Sequence, residues 1–98
     1  MRIVTYKRIQ EFSKTYADAE NDLNFWYYTV RAKEWSNLND IRQTFSSADY
    51  VGNNRFVFNI KGYHYRLVAM ISFNSQKVYI RFIGTHSDYD KIKDIKNI

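Results

Sequence analysis

The sequence predicts an α+β domain, and a change in its apolar pattern supports that prediction. Apolar residues recur at helical spacing in the first half, whereas from Tyr50 onward apolar and polar residues alternate as in β-strands. Proline is absent and glycine occurs at only three positions, so no linker divides the chain. We therefore expect a single domain over residues 1–98. In it, N-terminal helices cover one face of a mainly antiparallel sheet of about three or four strands, and a short C-terminal helix follows.

The first half is expected to contain the helices, because cap-forming residues precede its periodic apolar segments. The expected elements are a short strand at 3–4, a helix capped by Thr5, a second helix from about 18 to 35, and a short third helical segment capped by Asn39. Their apolar stripes face one way, so we expect them to pack together on the sheet.

Three strands are expected in the second half, at 55–60, 65–73 and 77–83. The turns between them are short, which favours an antiparallel meander. Pairing Ile60 with Tyr65 and Phe73 with Gln76 places all large apolar side chains on one face. That face consists of Phe56, Phe58, Ile60, Leu67, Ala69, Ile71, Val78, Ile80 and Phe82.

The same register places two arginines on the opposite, uncovered face. Arg66 lies opposite Asn59, and Arg81 lies opposite Val68, which makes the two arginines diagonal neighbours able to share one anion. A slip by one residue would bury both charges in the core, at high cost. The alternative is that both are ordinary exposed side chains whose stems cover an open sheet.

A capping box follows the last strand and places two further polar groups beside it. Thr85 is the expected N-cap and Asp88 the acidic residue at the third helical position. His86 then begins the helix and Tyr89 follows on the same side, so both are candidates for proton transfer. Alternatively, His86 is an exposed helix-start residue and Tyr89 packs against the sheet.

The charge distribution favours a polyanionic partner. The net charge is +5, and residues 61–98 hold seven Lys or Arg against three Asp or Glu. A solvated basic face is the alternative explanation. Cysteine is absent, two histidines form no recognisable metal site, and neither a membrane-spanning run nor a signal peptide is evident. These features indicate a cytoplasmic protein without a metal or other cofactor.

Residues 63–92 resemble the HigB family of RelE-like toxins from bacterial toxin–antitoxin systems. The similarity lies in Tyr-Arg-Leu-Val-Ala, a hairpin, Val-Tyr-Ile-Arg and then Gly-Thr-His-x-x-Tyr-Asp. It implies the RelE-like fold and a metal-independent endoribonuclease that cleaves mRNA on translating ribosomes. It also implies attack by the ribose 2′-OH, neutralisation by a HigA-type helix-turn-helix antitoxin, and contact with operator DNA only through that antitoxin.

The resemblance assigns catalytic roles to four residues, namely Arg66, Arg81, His86 and Tyr89. The arginines match the positions that hold the scissile phosphate, and His86 and Tyr89 match the proton-transfer positions. No dense run of lysines precedes the sheet, so the general base is not assigned. Further contacts to RNA are expected from Arg55, Asn59, Lys61, His64, Lys77 and Tyr79.

Two other functions remain compatible with the sequence. A non-catalytic RNA- or ribosome-binding module would use the same basic face, with Tyr63, Tyr65 and Tyr79 stacking on bases. A plain interaction domain would receive a partner helix on the open sheet face.

Overall fold

The computed structural model describes residues 1–98 and confirms the α+β class. Five strands and four α-helices follow one another as β1 (Arg2–Val4), α1 (Lys7–Thr15), α2 (Glu20–Arg31), α3 (Leu38–Thr44), β2 (Asp49–Gly52), β3 (Arg55–Ile60), β4 (Tyr65–Ser72), β5 (Lys77–Thr85) and α4 (His86–Asp90). One-turn 3₁₀ helices occupy Ala17–Ala19 and Ile95–Asn97. None of the helices is both long enough and apolar enough to span a lipid bilayer.

The helix boundaries differ from the expected ones where other residues provide the caps. Tyr6, not Thr5, occupies the N-cap position of α1, and its side chain makes no capping bond. The Oδ1 atom of Asn37, not of Asn39, accepts the backbone N–H of Asp40 and so caps α3. Helix α2 ends at Arg31, four residues before the expected end at Trp35.

The sheet has the order β1-β5-β4-β3-β2, with β1 parallel to β5 and the remaining pairs antiparallel. It thus has one strand more than the upper expected number, because β2 at Asp49–Gly52 was not foreseen. The β3–β4 register is as expected, with Ile60 opposite Tyr65 and Asn59 opposite Arg66. The three expected strands are therefore present, although β5 continues to Thr85.

The core lies between the helices and one sheet face. Seventeen buried residues form one cluster, in which Trp26 of α2 contacts Phe58 of β3 with ring centroids 5.4 Å apart. The cluster includes every member of the predicted apolar face except Phe82. This face supplies the large apolar area that a small domain needs for stability.

A β-bulge at Arg81 explains the exception. Ala69 faces Ile80 as expected, but Val68 faces Phe82 and Leu67 faces Ile83, so β5 contains one extra residue. The predicted pairing of Arg81 with Val68 is therefore wrong. Beyond the bulge the side chains of β5 exchange faces. Ile83 packs against the core, whereas Phe82 turns to the second face of the sheet, which is the face opposite the helices.

The second sheet face is not fully open, contrary to expectation. Val57 and Val68 point to this face, yet they are only 4% and 0% exposed. The C-terminal segment 91–98 lies over it, since Arg55 donates from Nη2 to the backbone oxygen of Ile98 at 2.7 Å. A second tie joins Asn53 Nδ2 to the backbone oxygen of Lys96 at 2.9 Å. These bonds hold the segment as a cover.

We predict that Arg55→Met loosens this cover without disturbing the helix side of the sheet. The substitution removes charge-assisted bonds to Asn53 and Ile98 but keeps an apolar stem, so the free energy of unfolding should fall by about 1.5–3 kcal/mol. Hydrogen exchange should accelerate in residues 92–98 and leave α2 unchanged. Arg31→Met on α2 is the matched control and should change neither quantity. Unaltered exchange in 92–98 would contradict the fastening role.

Candidate functional site

The candidate site centres on Arg66, which projects from β4 onto the second sheet face. Its guanidinium carbon lies 4.5 Å from the centroid of the Tyr89 ring of α4, a cation–π distance. The ion pairs of the structure are Lys7–Glu11, Arg42–Asp49, Lys61–Asp18 and His86–Asp90, so Arg66 has no carboxylate partner. Its charge is thus available to an anion.

Two polar side-chain atoms of the β3–β4 pair lack hydrogen-bond partners. Asn59 lies directly opposite Arg66 across the β3–β4 pair. The Nε atom of Arg66 and the Oδ1 atom of Asn59 are both shielded from solvent, and neither makes a hydrogen bond. Unpaired polar atoms are costly when buried, and they recur at sites that bind ligands.

His86 lies at the same end of the sheet because Thr85 caps α4 as predicted. The Oγ1 atom of Thr85 accepts the backbone N–H of Asp88 at 3.1 Å. The backbone N–H of His86 then donates to the carbonyl oxygen of His64 at 3.2 Å, which joins α4 to the β3–β4 turn. The Nδ1 atom of His86 lies 3.1 Å from Oδ2 of Asp90, so its Nε2 atom remains free.

Arg81 lies in a different part of the second face. Its Nη2 atom is 3.9 Å from the sulfur of Met70, and its guanidinium carbon is 5.8 Å from the centroid of Tyr79. Its backbone oxygen accepts a bond of 3.1 Å from Nη1 of Arg8. The bulge therefore exposes the side chain of Arg81, while α1 holds its backbone.

The two predicted arginines consequently do not form one cluster. Arg66 contacts Tyr89, whereas Arg81 contacts Met70, which lies four residues further along β4, or about 13 Å. Neither forms an ion pair. The structure thus brings Arg66, Tyr89 and His86 to one end of the sheet and leaves Arg81 with Tyr79.

The other predicted RNA contacts divide between these two regions and the interior. Lys61 and His64 are exposed in the β3–β4 turn beside His86. Lys77 and Tyr79 are half-buried on β5, and Lys77 begins this strand opposite Ser72. Arg55 is only 9% exposed and donates to Asn53 and Ile98, so its guanidinium fastens the chain instead of facing solvent.

The tyrosines considered for base stacking also differ in accessibility. Tyr63 is 70% exposed, but Tyr65 is 6% exposed, with its ring packed against Phe12 and Tyr16. Tyr65 therefore cannot stack on a base. Its hydroxyl donates to Oδ1 of Asp18 at 2.5 Å, while Lys61 donates to Oδ2 at 2.9 Å.

The Asp18 network shifts two pKa values. Hydrogen bonds from Tyr65 and then Lys61 lower the pKa of Asp18 below its ordinary value. The bond to the Asp18 carboxylate, followed by burial, raises the pKa of Tyr65 to about 12. The network ties the β3–β4 turn to the 3₁₀ helix Ala17–Ala19 that precedes α2 and so holds Lys61 in place.

Two site residues were missed in the sequence. Asp90 lies four residues after His86, and this spacing on a helix indicates that the two side chains can pair. Regular alternation in the expected register places Phe82 on the core face. The apolar pattern does not reveal the bulge at Arg81, because Phe82 and Ile83 are both apolar and either could face the core. Within the described chain no three His, Asp or Glu side chains lie together as a metal site requires.

The fold and the site define a small basic α+β domain with cationic and aromatic groups on one sheet face. Comparison with known families identifies the class: the HigB toxin family, described as the RelE-like toxic component of a toxin–antitoxin system, matches residues 19–92. The chain belongs to this family. The resemblance seen in residues 63–92 is thereby confirmed over a much longer stretch.

Two relatives illustrate the similarity. The mRNA interferase toxin HigB of Escherichia coli K12 is 31% identical over 93 residues, which are 92% of this chain and 88% of that protein. An mRNA interferase HigB of Escherichia coli O6:H1 is 23% identical over 94 residues, which are 94% of this chain and 91% of that protein. The similarity extends over nearly the whole chain in both cases.

We predict that the Tyr65–Asp18 bond makes stability depend on pH at both extremes. The raised pKa of Tyr65 contributes stability that is complete below its ordinary value of 10.0 and is lost as pH rises through about 12. The lowered pKa of Asp18 contributes stability above its ordinary value of 3.8, lost as pH falls through the lower folded value.

Urea unfolding of Tyr65→Phe tests this prediction when it is measured across the alkaline range. The variant should be less stable at neutral pH, and its stability should decline less than that of the wild type as pH approaches about 12. Tyr28→Phe, which alters an exposed ring, is the control and should follow the wild-type curve. Parallel alkaline curves for Tyr65→Phe and the wild type would contradict the shift.

Proposed function

We propose that this chain is an endoribonuclease that cleaves mRNA on translating ribosomes, as the toxin of a type II toxin–antitoxin system. The observation that carries the proposal is the unpaired guanidinium of Arg66, held against Tyr89 beside His86 on a basic sheet face. Membership of the HigB family and the printed activity of the relatives, mRNA interferase, support it. Cytoplasmic location follows from this function.

The proposed reaction is metal-independent transesterification. The ribose 2′-oxygen attacks the adjacent phosphorus, the bond to the 5′-oxygen breaks, and the products are a 2′,3′-cyclic phosphate and a 5′-hydroxyl. One proton leaves the 2′-oxygen and one joins the 5′-oxygen, so a general base and a general acid are needed. Negative charge grows on the non-bridging phosphate oxygens, where a cation stabilises it most.

Each side chain has a role that its position allows. Arg66 binds the scissile phosphate, because its side chain is only half-buried and no carboxylate competes for its guanidinium. His86 transfers a proton through Nε2 while Asp90 holds Nδ1. The Tyr89 ring packs against the guanidinium of Arg66, and its hydroxyl assists proton transfer at the same phosphate.

Arg81 is too far along the sheet to share the phosphate with Arg66, so we assign it to a neighbouring phosphate of the RNA strand. His64 extends the surface on the other side, next to His86, and Lys61 borders it while its ammonium group is paired with Asp18. Lys77 and Tyr79 extend it beyond Arg81, where the Tyr79 ring offers a stacking surface. Asn59 lies opposite Arg66 across the β3–β4 pair and adds a polar contact for the RNA.

We propose in addition that a HigA-type antitoxin with a helix-turn-helix domain neutralises this protein. Binding to operator DNA then occurs only through that antitoxin. The family description requires an antitoxin partner but does not specify its type.

Mapping of mRNA 5′ ends in a reconstituted translation reaction tests the cleavage proposal. We expect new 5′-hydroxyl ends with the wild-type protein and none when the attacking nucleotide is 2′-deoxy. Arg66→Ala should reduce the cleavage rate about 10²–10³-fold, since it removes charge stabilisation from the transition state. Arg81→Ala should also weaken cleavage, mainly through binding, and Arg31→Ala on α2 should have no effect.

The outcomes separate the competing functions. Ribosome or RNA binding without new mRNA ends would favour a non-catalytic module and refute the nuclease. Full cleavage by folded Arg66→Ala would refute the assigned role of Arg66. In cells, coexpression of a neighbouring helix-turn-helix gene product should restore growth; continued growth arrest, despite a stable complex with that product, would refute neutralisation.

A further inference from the structure

Phe82 is an aromatic residue on the site face that the proposed mechanism does not use. The bulge at Arg81 turns it away from the core, and it lies opposite Val68 on the second face. It is half-buried and lies outside the main core cluster. Its position therefore needs an explanation other than packing beneath the helices.

Gly84 provides the space that the Phe82 ring occupies. A Cβ atom added at Gly84 would overlap Cζ of Phe82 and lie 3.1 Å from both Cε atoms. The backbone of Gly84 is not left-handed, so only this space requires glycine. The ring thus lies across β5 directly over Gly84, which is the cross-strand neighbour of Arg66.

From this position Phe82 supports the aromatic side of the site. Its ring centroid is 6.5 Å from that of Tyr89, with the planes inclined by 54°. Tyr89 in turn lies 4.5 Å from the guanidinium carbon of Arg66. The three side chains form a continuous series from the strand, through the helix, to the cation.

Aromatic contact is the main orienting interaction of Arg66. The residue forms no ion pair, and its Nε atom makes no hydrogen bond. The orientation of a guanidinium that stacks on an aromatic ring depends on how rigidly that ring is fixed. Tyr89 lies on a helix of five residues, which by itself is a weak support.

We propose that Phe82 is a positioning residue that holds the Tyr89 ring and thereby sets the direction of Arg66. This inference rests on the proposed function, because it assigns Arg66 to the phosphate. Phe82 touches no substrate atom in this account. The competing explanation is that Phe82 only fills the space above Gly84 and contributes stability.

Phe82→Leu tests the proposal, with Phe73→Leu as the matched control. Phe73 is also half-buried, in the turn after β4, but it packs against Phe56 on the helix side, away from Arg66. Both variants exchange one aromatic ring for a smaller apolar side chain. Cleavage kinetics and the NMR signal of the Arg66 Nε–Hε group are measured for each, together with Arg66→Ala.

We expect Phe82→Leu to lower kcat about tenfold to a hundredfold with little change in KM, since binding survives while Arg66 is misdirected. The Nε–Hε signal should move, because the Tyr89 ring no longer keeps its place. Phe73→Leu should change neither quantity. A Phe82→Leu variant that keeps the wild-type kcat or an unmoved Arg66 signal would overturn the proposal.

Arg66→Ala separates this failure from that of the proposed function. If Arg66→Ala cleaves normally, the phosphate role of Arg66 fails. If Arg66→Ala is impaired while Phe82→Leu is not, only the positioning role fails.

Gly84→Ala provides a second, independent displacement of the same ring. The new methyl group must push Phe82 aside, so kcat should fall and the Arg66 signal should move, as with Phe82→Leu. The double variant Gly84→Ala/Phe82→Leu should be no worse in kcat than the more impaired single variant, because both changes act through one ring. Multiplied losses in the double variant would contradict a shared route.

Discussion

The extra residue at Arg81 is the feature on which the arrangement of the site depends. A regular ladder would place Phe82 under the helices and Ile83 on the outer face. The bulge reverses both side chains, so the core receives Ile83 and the second face receives an aromatic ring beside Gly84. The bond from Arg8 to the backbone oxygen of Arg81 stabilises the irregular point from the side of α1. Bulges often occur next to functional sites because they redirect side chains in this way.

The second face combines a charged site with a partial cover. Arg66 and Arg81 have no carboxylate partners. The guanidinium of Arg55, on the same face, donates hydrogen bonds to the backbone oxygens of Asn53 and Ile98. This difference leaves the charges of Arg66 and Arg81, but not that of Arg55, available to phosphates of the proposed RNA substrate. The C-terminal segment that Arg55 fastens lies over the end of the face near β2, and the end near His86 and Tyr89 remains accessible. The fold thereby confines the proposed chemistry to one end of the sheet.

Much of this architecture follows from the sequence, since local signals specify it. The Asn59–Arg66 pairing follows from alternation of apolar residues and a short turn, and the Thr85 cap follows from its side chain. The bulge could not be located, because Phe82 and Ile83 are equally suited to a core. Strand β2 was not predicted because Asp49–Gly52 has only four residues and begins with an aspartate, so it shows no clear apolar alternation. The role of Arg55 depends on Ile98, and no local pattern reveals a contact 43 residues away.

The most direct test of the central claim is nuclear Overhauser spectroscopy of the protein in solution. If β5 carries its extra residue at Arg81, the backbone of Val68 faces Phe82 and that of Leu67 faces Ile83. The Phe82 ring protons should then show close contacts to the Gly84 α-protons and the Tyr89 ring. Contacts of the Phe82 ring with Leu67 and the core aromatics, with Val68 facing Arg81, would show a regular strand and contradict the account.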